Sequence, residues 1–199
     1  MDREYWNDSF KQDPIGVHVD DHILEAELKN LHPGTALDLG CGAGFNAVKL
    51  AEAGWSVLGV DWSEHAVKLA NESAERRGLE ARFIVGDITS WQPADKFDLV
   101  ISTYALPGGQ DSLNTLDTAL SALKTGATLI VAEWDVSMAQ VWGFDENDLT
   151  SLNDIAGHLT DMEIEAAEVK HLDGIFTEDD PRAYAGTSAN IVFVRARKM

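Results

Sequence analysis

Cysteine is nearly absent from this sequence: Cys41 stands alone among 199 residues. An internal disulfide is therefore excluded, and the sequence reads as that of a protein from a reducing, cytoplasmic compartment. Bases are scarce as well, with 15 Lys and Arg against 34 Asp and Glu and a formal net charge of −19. Apart from Arg195–Lys198 they form no cluster, and so acidic a surface repels phosphate backbones and anionic bilayers. Nucleic acid and membrane are accordingly not expected as partners, although the even spread of the acids also suits an ordinary solvated surface. No apolar run approaches bilayer length, and Met1-Asp2-Arg3-Glu4 is unlike the start of a signal peptide. Repeats, low-complexity tracts and linkers are missing too. With 45% apolar residues, one domain over 1–199 is expected, an N-terminal cover and helix at 1–32 preceding a core at 33–199. The six histidines (18, 22, 32, 65, 158 and 171) show no metal-ligand spacing. His18 and His22 are four apart, but a helix beginning near Asp20 would not carry both on one face, so no metal is expected.

What is present concentrates at Leu37-Asp38-Leu39-Gly40-Cys41-Gly42-Ala43-Gly44-Phe45. An apolar run leads into a glycine at every second position, and a helical pattern opens near Asn46. That is a strand, a tight turn and a helix start, the opening of a nucleotide-binding βαβ unit. A second strand, Ser56-Val57-Leu58-Gly59-Val60, ends in Asp61, whose carboxylate can accept both hydroxyls of a ribose. Dinucleotide sites want a small residue at the sixth position of G-x-G-x-x-G. Counting from Gly40 that position is Phe45, and counting from Gly42 it is Ala47, so a nicotinamide frame survives only weakly. The frame Asp38-x-Gly40-x-Gly42-x-Gly44 fits better. An acid on the strand would repel a pyrophosphate and attract the ammonium of an amino-acid tail, which favours a phosphate-free nucleoside.

Periodicity fills in the rest. Residues 1–17 are expected to be irregular, with a turn at Pro14-Ile15-Gly16. A helix is predicted over about 20–31, with Ile23, Leu24 and Leu28 on one face. The helix after the glycines runs to Ala53. The next starts at the N-cap Ser63, buries Ala66, Val67 and Ala70, and stops at Gly78. Another starts at Asp111 or Ser112 with Leu113, Leu116, Leu120 and Leu123 in register, and one more lies around Leu149–Leu159. Strands are predicted at Thr128–Trp134, Glu163–Leu172 and Ala189–Ala196, the last two as a hairpin across 173–188. Alternating strands and helices argue for a doubly wound α/β sheet with ligand at the strand C-termini.

The runs LDLGCGAGF at 37–45 and GVDWS at 59–63 resemble the first two motifs of the class I S-adenosylmethionine-dependent methyltransferases. Phe83–Ile88, Lys96–Ile101 and Leu123–Ile130 are similar to three further landmarks of that family, in the same order. The resemblance implies a Rossmann-like, seven-stranded, mostly parallel sheet with an antiparallel last strand. It also implies S-adenosyl-L-methionine as cofactor, held by Asp38, Gly40, Cys41, Gly42, Gly44 and Asp61, with Asp87 on the adenine amino group, the amide of Ile88 on adenine N1, and Ser102 and Thr103 beside the methionine. Asp38 could instead bind loop amides, Asp61 could act only as a helix-capping acid, Trp62 is an adenine wall or a surface residue, and Asp87 an adenine ligand or a turn acid. Cys41 reads as a small packing residue, with no histidine near it to make a nucleophile.

Methyl transfer from a sulfonium asks mainly for alignment and exclusion of water. Aromatic candidates for the acceptor side are Tyr5, Trp6, Tyr104 and Trp134, each of which could equally be packing. Glu133-Trp134-Asp135 occupies the place of metal-binding acids in some methyltransferases, but no Asp-Asn pair follows. The segment Ser102-Thr103-Tyr104-Ala105-Leu106-Pro107 lacks the Asn/Asp-Pro-Pro-Tyr/Trp cluster of enzymes that methylate bases. The opening Glu4–Phe10 and Leu50–Val57 are similar to the small bacterial tellurite-resistance and thiopurine-type methyltransferases, which implies a small-molecule acceptor and direct in-line displacement. Two rival readings remain: a SAM- or nucleoside-binding protein without turnover, and a nicotinamide-dependent oxidoreductase built on Gly42-Ala43-Gly44.

Overall fold

The computed structural model describes residues 3–12, 22–143, 145–175 and 188–199. Helices α1 (Arg3–Gln12) and α2 (Ile23–Leu28) precede β1 (Thr35–Leu39), α3 (Phe45–Glu52), β2 (Ser56–Asp61), α4 (Glu64–Arg77), β3 (Ala81–Val85) and β4 (Phe97–Thr103). Then come α5 (Gly109–Ala122), β5 (Leu123–Trp134), α6 (Met138–Trp142), a 3-10 turn at Glu146–Asp148, α7 (Leu152–His158), β6 (Met162–Leu172) and β7 (Ala189–Lys198). The seven strands form one sheet in the order β3-β2-β1-β4-β5-β7-β6. Strands β1 to β5 pair in parallel, and β7 runs antiparallel to both β5 and β6. The expected sheet, with its antiparallel last strand, is the one observed.

Strand alternation sends side chains to two cores. On one face Leu37, Leu39 and Val100 pack with Leu116 and Ala119 of α5 and Ile155 of α7. On the other, Ala36, Leu99 and Ile101 meet Ala47 and Leu50 of α3, Val67 and Ala70 of α4, and Ile23 and Leu24 of α2. β1 is buried along nearly its whole length because helices cover both faces. β3 lies at an edge and is only half buried. Its exposed ladder position is blocked by Asn71 of α4, whose side chain accepts from the Phe83 amide at 3.1 Å and donates to its carbonyl at 3.0 Å.

Three boundaries differ from the sequence reading. The segment expected to be irregular holds α1. Its apolar residues are few, but Trp6 and Phe10 are four apart, and Phe10 is buried by tertiary contact. α5 begins at Gly109, ahead of Asp111, because Ser112 Oγ accepts from the Gly108 amide at 2.9 Å and closes the turn. Leu123, expected on that helix, is extended and opens β5 opposite Phe97. α4 agrees with expectation: Ser63 accepts from the Ala66 amide at 3.2 Å, and Gly78 ends the helix in the left-handed conformation. The turn at Pro14-Ile15-Gly16, His18 and the start of the second helix at Asp20 lie outside the described residues. No described helix is long and apolar enough to cross a membrane.

The far edge of the sheet is tied to α2 by ions. Arg195 of β7 meets Glu27 at 2.9 Å and Glu165 at 2.8 Å, and all three side chains are largely covered. Replacing Arg195 by leucine leaves Glu27 without its cation and Glu165 with Arg197 alone, and should lower stability by about 1–3 kcal/mol. Urea denaturation reads this directly.

Candidate active site

The loop after β1 is forced into shape by its glycines. Gly40, Gly42 and Gly44 have φ of 75°, 51° and 85°, values that L side chains adopt only with strain. Space is equally tight: a methyl group on Gly40 would come within 2.3 Å of Ala105 Cβ, and one on Gly44 within 2.9 Å of Ala70 Cβ. The loop is stitched to β2 by the Gly40 amide, which donates to the Val60 carbonyl at 2.8 Å. Gly40→Ala therefore both strains the turn and pushes back the loop after β4. We expect about 2 kcal/mol of lost stability and cofactor affinity weakened by more than about tenfold, read by thermal melting and calorimetry.

Two acids sit against this loop. Asp61, at the tip of β2, is only 7% exposed. Its Oδ2 accepts from the Gly42 amide at 2.9 Å and its Oδ1 from the Ser63 amide at 2.8 Å. Each oxygen keeps a second lone pair for a further donor. Burial raises its pKa, and the Ser63 and Gly42 amides pull it back. Asp38, in β1, is 1% exposed and its Oδ1 has no partner. Burial first, and then the negative charge of Asp61, push its carboxyl up to about 7, with the Ala47 amide opposing. A buried carboxylate oxygen without a donor is a group in need of one. A ligand bringing an ammonium to Asp38 and a diol to Asp61 answers both needs, so these residues fit S-adenosylmethionine. Cys41 is buried, and burial together with both acids drives its thiol pKa well up. It is no thiolate nucleophile.

The remaining cofactor candidates surround the same loop. Ile88 is buried, its Cδ1 3.6 Å from where a Gly40 methyl would lie. Asp87 beside it is exposed and closes its own turn, Oδ1 accepting from the Thr89 amide at 3.0 Å and hydroxyl at 2.7 Å. The strand before it, β3, is a half-buried edge strand. Trp62 is half buried next to Asp61. Ser102 in β4 is 1% exposed, with an unpartnered Oγ. Thr103 Oγ1 accepts from Asn46 Nδ2 at 2.9 Å, tying the β4 tip to the first turn of α3.

The aromatic candidates gather in two pairs. Tyr104, with φ of 55°, stacks on Trp134 at 4.4 Å between ring centroids, and Trp134 meets Trp142 edge-on at 4.7 Å. Tyr104 is bracketed by Thr103, held by Asn46, and Ala105, pressed on Gly40, so this shelf starts at the glycine loop. Tyr5 and Trp6 lie together on α1 at 5.3 Å. That helix crosses the loop: Phe10 packs over Gly42, and Asn7 Oδ1 accepts from the Ser63 hydroxyl at 2.7 Å.

Two residues escaped the sequence reading as site residues, Asn46 and Trp142, and Glu133, weighed there only at the place of a metal-binding acid, has a different role. Glu133 is 3% exposed. It accepts from the Leu106 amide at 3.0 Å and the Trp134 amide at 2.9 Å, clamping the loop that carries Tyr104. Burial pushes its carboxyl up to about 7 against the pull of the Trp134, Leu106 and Ala105 amides. Both oxygens face the chain's own amides, which makes it a brace. Among the described residues no group of His, Cys, Asp and Glu could hold a metal.

A family model for the methyltransferase domain matches residues 32–180, most of the chain. Among curated relatives, the probable S-adenosyl-L-methionine-dependent methyltransferase TehB of Haemophilus influenzae is 30% identical over 95 residues, 48% of this chain and 32% of that protein. The ribosomal RNA small subunit methyltransferase C of Alcanivorax borkumensis is 50% identical over 58 residues, 29% of this chain and 18% of that protein. The chain thus matches a third or less of the length of these relatives. Among solved structures, the magnesium protoporphyrin IX methyltransferase of Synechocystis PCC 6803, with bound SAH, superposes with a TM-score of 0.74 at 19% identity, covering 99% of this chain and 98% of that one. With the sheet order and acid-bearing glycine loop above, the match over 32–180 places this chain in the class I S-adenosylmethionine-dependent methyltransferases.

Proposed function

We propose that this chain binds S-adenosylmethionine over the glycine loop and transfers its methyl group to a small-molecule acceptor, in the cytoplasm. The observation that carries this is the junction at Thr103–Ala105, where the cofactor loop and the aromatic shelf meet. Asp61 takes the ribose hydroxyls on its remaining lone pairs. Asp38 takes the ammonium, Asp87 and the Ile88 amide the adenine edge, and Trp62 its face. The Asn46–Thr103 bond and the Glu133 clamp fix the β4 tip, so that Tyr104 and Trp134 hold the acceptor in line with the methyl. The cofactor supplies an electrophilic methyl on a sulfonium: the acceptor's lone pair forms the new bond to carbon while the C–S pair returns to sulfur, leaving S-adenosylhomocysteine.

Charge favours a small molecule over RNA. Among the described residues Lys and Arg are few beside 34 Asp and Glu in the whole sequence, whereas neutralising a phosphate backbone takes several Lys or Arg. Incubation with methyl-labelled S-adenosylmethionine and a panel of phenols, amines, thiols and an RNA fragment tests the reading. Label is expected on a small molecule. Label on RNA alone, or cofactor binding with no acceptor methylated, would contradict it.

A further inference from the structure

Two backbone donors hold Asp61, and α1 covers both of the residues that supply them. The Gly42 and Ser63 amides reach its two oxygens at 2.9 and 2.8 Å. On the Gly42 side, Phe10 is buried, and its Cζ lies 3.1 Å from where a methyl group on Gly42 would sit. On the Ser63 side, Asn7 Oδ1 accepts from the Ser63 hydroxyl at 2.7 Å and from the His65 amide at 3.4 Å. Asn7 and Phe10 are three apart on α1 and so share a face. One turn of this helix therefore grips both ends of the cradle that holds the acid.

The contact with Ser63 has the larger consequence. Ser63 is fully buried. Its Oγ accepts from the Ala66 amide at 3.2 Å to cap α4, while its backbone amide donates to Asp61. With the hydroxyl proton given to Asn7, the oxygen's lone pairs stay on the cap. The His65 amide belongs to the first turn of α4, whose donors have no partner within their own helix, and Asn7 supplies an acceptor for it as well. Without Asn7 a buried hydroxyl and a helix-end amide both lose their acceptor. The turn that presents the Ser63 amide to Asp61 then loses its outer support.

We infer that Asn7 is a positioning residue of the cofactor site: acting through Ser63, it holds the Asp61 carboxylate in the arrangement that receives the ribose, so that docking of α1 and binding of the cofactor favour each other. This rests on the role proposed above for Asp61. Such coupling is reciprocal. Whatever factor α1 adds to cofactor affinity, the cofactor returns as tighter docking of α1 on the loop.

The test compares the wild-type chain with Asn7→Ala and with Asn7→Asp, which puts an acceptor oxygen back at the N-terminus of α4. Calorimetry with S-adenosylhomocysteine should give an affinity about tenfold weaker in Asn7→Ala and largely restored in Asn7→Asp. Trypsin cleavage after Lys11, an exposed residue of α1, reads the reciprocal effect. Saturating S-adenosylhomocysteine should slow it about tenfold in the wild-type chain and much less in Asn7→Ala. The wild-type protection needs no variant, so it decides the matter even where Asn7→Ala folds poorly. A merely structural Asn7 would lower the melting temperatures of free and loaded protein alike and leave affinity unchanged. Equal affinity in the wild-type chain and the alanine variant, or wild-type cleavage at Lys11 indifferent to the nucleoside, overturns the inference while the cofactor reading stands. Failure of the wild-type chain to bind S-adenosylhomocysteine removes both.

Discussion

Asp61→Ala is expected to weaken S-adenosylhomocysteine binding by about two orders of magnitude or more. A diol held by a carboxylate makes two charge-assisted hydrogen bonds, each worth about 1.5–3 kcal/mol. The same carboxylate orders the loop it serves, since the Gly42 and Ser63 amides both donate to it. Losing it removes the ligand contacts and releases the turn under the ligand. Stability should fall much less, because removing a buried carboxylate also removes its desolvation penalty. Asp61→Asn keeps one acceptor oxygen and should fall in between. Calorimetry on the three proteins, with thermal melts in parallel, separates lost contact from lost fold. An alanine variant with unchanged affinity would show that Asp61 only caps its own turn.

The second large effect is on pH, and it has opposite signs for binding and for stability. Asp38 holds its proton up to about 7 in the free protein, and a protonated acid offers an ammonium no charge. Affinity should therefore drop about tenfold between pH 8 and pH 6, one unit of pKa being worth about 1.4 kcal/mol. Asp38→Asn should bind weakly with a flat profile. For cofactor-free stability the sign reverses. Asp38 and Glu133 both sit at about 7 when folded and near ordinary carboxyl values when unfolded. Between roughly pH 4 and pH 7 the folded chain then binds more protons, so stability falls as pH rises through that window. Each fully buried carboxyl contributes about 2 kcal/mol of this between pH 5.5 and pH 8. Asp98 acts the other way. The hydrogen bond from Lys124 and then that from the Thr35 amide hold its carboxyl down at about 2. The stability it contributes is present above about pH 4 and is lost only as pH falls toward 2. Melting of the free protein should peak near pH 4, while the cofactor-induced shift in melting should be largest near pH 8. A free protein that melts higher at pH 8 would mean these carboxyls are not buried as described.

Much of this was legible in the sequence, for physical reasons that can be named. The alternating glycines announce the turn because three positive φ values at alternate positions can be met in no cheaper way. Central strands are recognisable because burial on both faces demands unbroken apolar runs. Ser63 and Gly78 mark their helix because caps are local chemistry. What was not legible depends on contacts distant in sequence. Asn46 matters through Thr103, Glu133 through Leu106, and Trp142 through Trp134. None of these pairings has a periodic signature. α1 is polar along most of its length and is fixed by Phe10 over Gly42 and by Asn7 on Ser63, contacts that exist only once the loop has folded. The half-exposed character of β3, and with it of Asp87, follows from strand order, which periodicity does not report.

The central claim is that the Asp38–Gly44 loop with Asp61 forms a sulfonium-nucleoside site. Its most direct test is one calorimetric comparison at pH 8: S-adenosylhomocysteine against NADH, on the wild-type chain. The account predicts micromolar, one-to-one binding of the first and none of the second. Binding of NADH without S-adenosylhomocysteine would contradict it and return the glycine loop to the dinucleotide class.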